Sequence, residues 1–232
     1  MARFKRDLYK SEASTIWVPE NESFIVTSGS GADTVVNVWS MSGEKLAQLN
    51  TYQIEHYSID YGKQNILVRG WTSEVKMFKL TLSKDKGFGA IEKSYHLTHS
   101  EHIKCSAIDN LGYYALTVCK GNVVKLWHTS SGDVNHLSES TIDAYQLGLD
   151  DPTLCAVHTL IGANERLRTL VMLANENSIV ICDREWKVLQ RLEGIAVKGL
   201  FVTGSMKSAG LSVNGGDKMT IWNLTPLVEQ VA

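Results

Sequence analysis

A short alternating segment that ends in a large or soft side chain recurs five times along this chain. The final residues of the five copies lie at positions 39, 78, 127, 182 and 222, so the steps between them are 39, 49, 55 and 40 residues. Alternation of apolar and polar side chains is typical of a half-buried β-strand. A repeat of about 40–45 residues is the spacing of four-stranded propeller blades, and the longer steps leave room for loop insertions. The five copies cover residues 35–39, 74–78, 123–127, 178–182 and 218–222.

Further β-rich segments surround each copy and predict the rest of each blade. A preceding strand is predicted at residues 24–28, 66–69, 115–119, 170–174 and 210–213, and before it another at 14–18, 54–59, 103–108, 154–160 and 196–202. A last strand follows four of the five copies, at residues 44–49, 91–97, 143–149 and 187–192. We therefore predict an all-β chain, 1–232, that is a single β-propeller domain or part of one. Its expected blades are 11–50, 51–99, 100–150, 151–194 and 195–232.

Stacking explains why such sheets need one another. A single four-stranded sheet cannot bury both of its faces, whereas neighbouring sheets in a repeat array cover each other. The residue that ends each repeated strand is expected to pack between adjacent blades, which is why Trp, Phe and Cys occupy that place.

The sequences VVKLWHTSSGD, VVNVWSMSGEKL and MTIWNL resemble the third strand and following turn of the WD-repeat family. His99 occupies the place of the family's Gly-His dipeptide, with Thr98 in place of the glycine. The resemblance implies a hydrogen-bonded group in each regular blade that joins an Asp, six residues before the Trp, with the His and a Ser or Thr. Asp33 fits the Asp position of the first blade, whereas Gly121 occupies it in the third. The family resemblance implies a WD-type β-propeller that binds other proteins.

Residues 1–225 are most similar to one member of that family, with a long linker at residues 79–92 as a shared feature. This resemblance implies an adaptor in translation stress signalling and the unfolded protein response. Its partner would be the stress-responsive kinase of the endoplasmic reticulum that acts on a translation initiation factor. The family member has a membrane anchor and further blades before this region, so two blades are expected to be missing before Met1. The favoured expectation is an open arc whose ends are covered by a partner or a second copy. The alternative is a five-bladed ring clasped by residues 4–9.

Composition excludes several classes of function. With 23 basic and 25 acidic residues the net charge is −2, which does not favour specific nucleic-acid binding. No run approaches the roughly 18 apolar residues of a membrane span, and the first residues lack the apolar core of a signal peptide. The four cysteines form no C-x-x-C pair. These features predict an intracellular chain, cytoplasmic or associated with the endoplasmic reticulum.

Catalytic patterns are weak. His96, His99 and His102 have a poor spacing for metal ligands, and the adjacent acids Asp150 and Asp151 are typical of a turn. We therefore predict no enzyme activity, no metal and no cofactor. The alternative is a five-bladed propeller that binds or hydrolyses a carbohydrate in its central funnel, which would need a pair of carboxylates facing the axis.

Two predicted turns carry the candidate interaction residues. Arg69 and Trp71 lie at the turn before the second repeated strand, and Lys120 and Asn122 lie at the equivalent turn of the third blade. Trp and Arg are common anchors of protein interfaces. The alternative for the first pair is that Arg69 extends along the surface and Trp71 packs on a neighbouring blade.

Overall fold

The computed structural model describes residues 13–17, 24–29, 34–51, 58–62, 65–83, 87–129, 137–162 and 164–229. The chain divides into two compact units, with the boundary between Ile103 and Lys104. Residues 4–9, the predicted clasp, and Asp33 lie outside the described residues.

The first unit contains two four-stranded antiparallel sheets in which each strand pairs with the next along the chain. The first sheet is formed by β1 (Ala13–Trp17), β2 (Phe24–Gly29), β3 (Val35–Ser40) and β4 (Lys45–Asn50). The second is formed by β5 (Ser58–Gly62), β6 (Asn65–Arg69), β7 (Glu74–Ser83) and β8 (Gly87–Thr98).

The third sheet begins at the unit boundary, and two further sheets follow it in the second unit with the same meander order. The third sheet consists of β9 (Ile103–Ile108), β10 (Tyr114–Cys119), β11 (Val123–His128) and β12 (Ser138–Asp143). The fourth consists of β13 (Leu154–Ile161), β14 (Leu167–Ala174), β15 (Ser178–Asp183) and β16 (Val188–Glu193). The fifth has three strands among the described residues, β17 (Gly199–Gly204), β18 (Ala209–Asn214) and β19 (Met219–Asn223), followed by the helical turn α1 (Thr225–Val228).

The predicted fold class is confirmed. The described residues form five antiparallel sheets of three or four strands, as a WD-type β-propeller requires. Each repeated alternating segment is the third strand of its sheet. In the part of the chain that the structure describes, no helix has the length and apolar character needed to cross a membrane.

Apolar side chains from facing sheets form the cores. In the first unit, Phe24, Val26, Val36 and Val38 of the first sheet pack with Ile66, Val68 and Phe78 of the second. In the second unit, one cluster joins the third and fourth sheets, and a larger cluster joins the fourth and fifth. Cys182, at the repeated terminal position of β15, is buried, and this burial raises the pKa of its thiol to about 12. The thiol is therefore a packing group, as its apolar surroundings predict.

Two of the repeated tryptophans make the same kind of hydrogen bond, each to a threonine of its own sheet. The Nε1 atom of Trp39 donates to Thr27 Oγ1, and that of Trp127 donates to Thr117 Oγ1, both at 2.8 Å. Both indoles are buried, so each polar tip has a partner inside its own sheet. In the first and third sheets, the tryptophan of the third strand is thus bonded to a threonine of the second strand.

A polar network links the third and fourth sheets. The buried Asp109 follows β9, and its Oδ1 accepts the backbone N–H groups of Tyr113 and Tyr114 at 2.6 and 2.9 Å. Its Oδ2 accepts the hydroxyl of Thr159 on β13 at 2.7 Å, and Thr159 Oγ1 lies 3.0 Å from Thr169 Oγ1. Burial raises the pKa of Asp109, and these hydrogen bonds offset part of that effect.

The predicted last strand of the third blade, residues 143–149, is wrong. The strand lies earlier, at Ser138–Asp143, and Ala144–Leu147 form a 3-10 turn. The Asp143 side chain accepts the N–H of Tyr145, and Gly148 closes the turn with a φ of 64°, a left-handed conformation that favours glycine. These two local signals stabilise the turn in place of a strand.

Three other boundaries differ from prediction. The linker expected at 79–92 is wrong, since β7 and β8 extend into it as one hairpin with Ser83 paired to Gly87. The alternation of Leu80 and Leu82 with polar neighbours continues the strand pattern there. The first strand of the fifth sheet begins at Gly199 rather than 196. The first strand of the second sheet was predicted at 54–59. It is Ser58–Gly62, and residues 54–57 lie outside the described residues.

Candidate interaction surfaces

The turn between β6 and β7 is held by hydrogen bonds from the segment that follows β8. The N–H of His99 donates to Ser73 O at 2.8 Å, and that of Ile103 donates to Thr72 O at 3.1 Å. The hydroxyl of Thr72 donates to Glu74 O at 2.6 Å. Because the carbonyls of Thr72 and Ser73 both accept from this segment, the backbone that directly follows Trp71 is held in place.

Trp71 projects from this turn and is 59% exposed. Its ring lies 4.6 Å from the ring of His102, centroid to centroid, with an angle of 38° between the planes. Arg69 is half-buried, and its Nη1 donates to Ile103 O at 3.4 Å. We call Arg69, Trp71 and His102 the Trp71 surface. Both predicted residues of the first unit contact the segment 102–103, which adds His102, a residue considered above only for its spacing as a metal ligand.

Charges of both signs lie beside this surface on β7 and β8. Glu74 Oε2 is 3.0 Å from His96 Nδ1, and Glu74 Oε1 is 3.7 Å from Lys76 Nζ. Lys76 Nζ also donates to Thr51 O at 3.0 Å. The surroundings of the Trp71 surface are therefore mixed in charge rather than basic or acidic.

The equivalent turn of the second unit places its two predicted residues differently. Lys120 is exposed, whereas Asn122 is only 8% exposed. Asn122 has a φ of 63°, which Asn tolerates better than most side chains, and its Oδ1 accepts Lys104 Nζ at 3.1 Å. Lys104 Nζ also contacts Asp151 Oδ1 at 2.6 Å. Asn122 thus organises the interior of this turn, and a direct contact of Asn122 with a partner stays a prediction.

Tyr145 is a surface residue of the second unit that sequence reasoning missed. Its ring is 59% exposed, and a hydrogen bond to Asp150 raises the pKa of its hydroxyl. The missed residue lies in the segment that was predicted as a strand. The Asp143 and Gly148 that flank it are turn residues, and this signal could have identified the turn.

A cleft of about 520 Å³ lies between the fourth and fifth sheets, at the end of the sheets that carries the β14–β15 turn. Glu176 and Lys198 are its charged residues, and Thr153, Leu154, Asn177, Ala196 and Val197 complete it. Glycosidases place two carboxyl groups across the scissile bond. Glu176 supplies one carboxylate to this cleft, so the cleft does not provide the pair that sugar hydrolysis requires.

Comparison with known proteins gives a distant similarity. No family model matches the chain. Transducin beta-like protein 2 of Homo sapiens is 27% identical over 124 residues, which is 52% of this chain and 27% of that protein. The Mus musculus protein of the same name is also 27% identical over 124 residues, 52% of this chain and 28% of that protein.

The matched segment therefore spans about a quarter of the length of these relatives. A closer resemblance, over residues 1–225, was predicted from the sequence. The similarity found is shorter, and it supports a WD-repeat-like family without a close relationship.

Proposed function

We propose that this chain is a non-catalytic scaffold that binds other proteins, with the Trp71 surface as a principal contact. The observation that carries the proposal is an exposed indole on a turn whose backbone is hydrogen-bonded at Thr72 and Ser73, directly after Trp71. Large aromatic side chains held in this way lose little conformational freedom on binding. Trp and Arg together are the side chains most enriched among residues that dominate binding energy.

The local chemistry suits a protein partner. The indole and the imidazole of His102 offer a flat apolar area, the Arg69 guanidinium offers donors, and the mixed charges of Glu74 and Lys76 surround them. An apolar centre with a polar rim is the usual anatomy of an interface. The carbohydrate alternative has no comparable observation in its favour among the described residues.

The distant similarity to transducin beta-like protein 2 supports a finer hypothesis. We propose that the chain acts as an adaptor in translation stress signalling at the endoplasmic reticulum. Its partner would be the kinase of that compartment that phosphorylates a translation initiation factor. This part of the proposal rests on the resemblance, whereas the Trp71 surface rests on the geometry.

A titration tests both parts. The purified chain is immobilised, and the cytosolic kinase domain is applied at increasing concentrations to measure a Kd by interferometry. Trp71→Ala should weaken binding by at least tenfold, since truncation of a central aromatic anchor commonly costs 2 kcal/mol or more.

Met41→Ala is the matched control, because Met41 is also exposed, at 47%, in the first unit but lies in the β3–β4 turn. The control should bind as the wild type does. A kinase domain that fails to bind the wild-type chain would refute the adaptor hypothesis. Equal Kd values for wild type and Trp71→Ala would refute the assignment of the Trp71 surface.

A further inference from the structure

A second cleft, of about 420 Å³, opens between the third and fourth sheets within the second unit. It lies at the end of β10 opposite the Lys120 turn. Tyr113, Tyr114 and His128 line it from the third sheet, and Leu167 and Arg184 line it from the fourth. A concave site of this size is within the range of pockets that hold a ligand or a short peptide segment.

One side of the cleft is aromatic. The rings of Tyr114 and His128 lie 5.0 Å apart, centroid to centroid, with an angle of 35° between their planes. Tyr113 precedes Tyr114, and the exposed Leu167 begins β14 on the other sheet. An extended segment between these two sheets would meet flat rings on one side and an aliphatic side chain on the other.

The cleft is also supplied with hydrogen-bond donors. Arg184 Nε donates to Glu185 Oε1 at 2.6 Å, and the guanidinium bonds the hydroxyl oxygen of Tyr114, which raises the pKa of Arg184. The hydroxyl of Tyr114 carries an O–H donor as well as an acceptor oxygen. A guanidinium has five N–H donors, so these two contacts leave others for a ligand.

The aromatic wall is fixed from below. Asp109 accepts the N–H groups of both tyrosines and the Thr159 hydroxyl, as described above. Asp109 therefore connects the backbone of the two tyrosines to Thr159 of the fourth sheet. A wall that is already ordered reduces the entropy lost when a segment binds.

The charges of the cleft do not select an anion. Glu185 pairs with Arg184, and the Asp109 carboxyl lies behind the tyrosines. An acidic ligand that approached the Arg184 guanidinium would also meet the carboxylate of Glu185 beside it. The cleft instead combines the rings of Tyr114 and His128 with two donor groups, the Tyr114 hydroxyl and the Arg184 guanidinium that also bonds Glu185.

We propose that this cleft binds an extended proline-rich segment of a partner protein. A polyproline II helix has no internal hydrogen bonds, so its backbone carbonyls need donors such as Tyr114 and Arg184. Proline rings pack on aromatic walls, and the preformed helix loses little entropy on binding. The cleft belongs to the second unit and the Trp71 surface to the first, so the chain would have two different kinds of protein contact.

Fluorescence anisotropy with labelled dodecaproline tests this proposal. The wild-type chain should bind dodecaproline and should not bind a labelled glycine–serine peptide of equal length. Tyr114→Ala should raise the Kd at least tenfold through loss of the ring. Tyr114→Phe and Arg184→Gln should each raise it by a smaller factor through loss of a donor.

The control variants are Tyr145→Ala, which removes an exposed tyrosine from another turn of the same unit, and Trp71→Ala. Both should leave the dodecaproline Kd unchanged, which separates this proposal from that of the Trp71 surface. Absence of dodecaproline binding, or binding that is indifferent to Tyr114→Ala, would overturn the proposal. Tighter binding of an oligoglutamate peptide that Arg184→Gln abolishes would assign the cleft to an anion instead.

Discussion

Asp109 links the third and fourth sheets through hydrogen bonds, but burial of its ionised carboxyl is unfavourable. Its carboxyl is buried and accepts two backbone N–H groups and the Thr159 hydroxyl, yet the effect of burial exceeds that of the hydrogen bonds, and its pKa is raised. A raised carboxyl pKa means that the folded state binds the proton more tightly than the unfolded state. The contribution of this group to stability is therefore largest at low pH and decreases as pH rises from the ordinary value of 3.8 through the raised pKa.

Asp109→Asn should remove this pH dependence. The amide oxygen keeps the two backbone N–H partners, and the Thr159 hydroxyl can accept from the new NH₂ group and donate to Thr169. We expect the free energy of unfolding of the wild type, relative to the variant, to decrease as pH rises from 3.8 through the raised pKa of Asp109. Urea unfolding at a series of pH values measures this difference. A relative stability of the wild type that increases over this range would show that the Asp109 pKa is lowered instead.

Strands with strict alternation could be predicted from the sequence, and turns with apolar residues could not. The third strand of every sheet was predicted within one or two residues at its start, because Val, Ile and Trp alternate there with polar side chains. Residues 143–149 misled the prediction because Ala144, Leu147 and Leu149 are apolar and buried, as in a strand, while the local hydrogen bonds form a turn. The same error concealed Tyr145.

Trp127 tests the blade assignment at the level of one element. It is buried at the end of β11, and its indole donates to Thr117. Trp127→Ala should reduce the free energy of unfolding by about 3–5 kcal/mol through cavity formation. Trp127→Phe should cost less, since the ring fills part of the cavity and mainly the hydrogen bond is lost. Chemical denaturation measures both, and a loss below about 1 kcal/mol for the alanine variant would contradict the packing described for this strand.

At the scale of the molecule, single turns were visible in the sequence, but surfaces that join distant segments were not. The turn position of Trp71 follows from the strands on either side of it. The cleft lined by Tyr114 and Arg184 combines residues separated by 70 positions and two different sheets. No local pattern connects them, because the contact depends on how the two sheets pack. The partner that binds either surface could not be predicted, because its identity is set by the partner's own side chains as well as by this chain.

The outer face of the fifth sheet provides a prediction about self-association. Phe201, Met219 and Ile221 are exposed on β17 and β19, and the helical turn Thr225–Val228, with Pro226 near its start, follows β19. Exposed apolar groups of this size commonly mark an interface. In a sample of the purified chain, only a second copy of the chain can cover this face of the fifth sheet. Light scattering should show a molar mass that rises with concentration, and Ile221→Lys should reduce it. A monomer at every concentration would contradict the expected open arc with ends that need a cover.

The most direct test of the scaffold account is quantitative affinity capture from cell extract with three baits: wild type, Trp71→Ala and Met41→Ala. The account predicts a set of proteins that the wild type and Met41→Ala retain equally and that Trp71→Ala loses by tenfold or more. Asp150→Asn and Glu193→Gln should retain the same set, since neither carboxylate is assigned a catalytic or binding role. Identical captured sets for the wild type and Trp71→Ala would contradict the account. So would turnover of glycosides or phosphoesters that one of these acid substitutions abolishes.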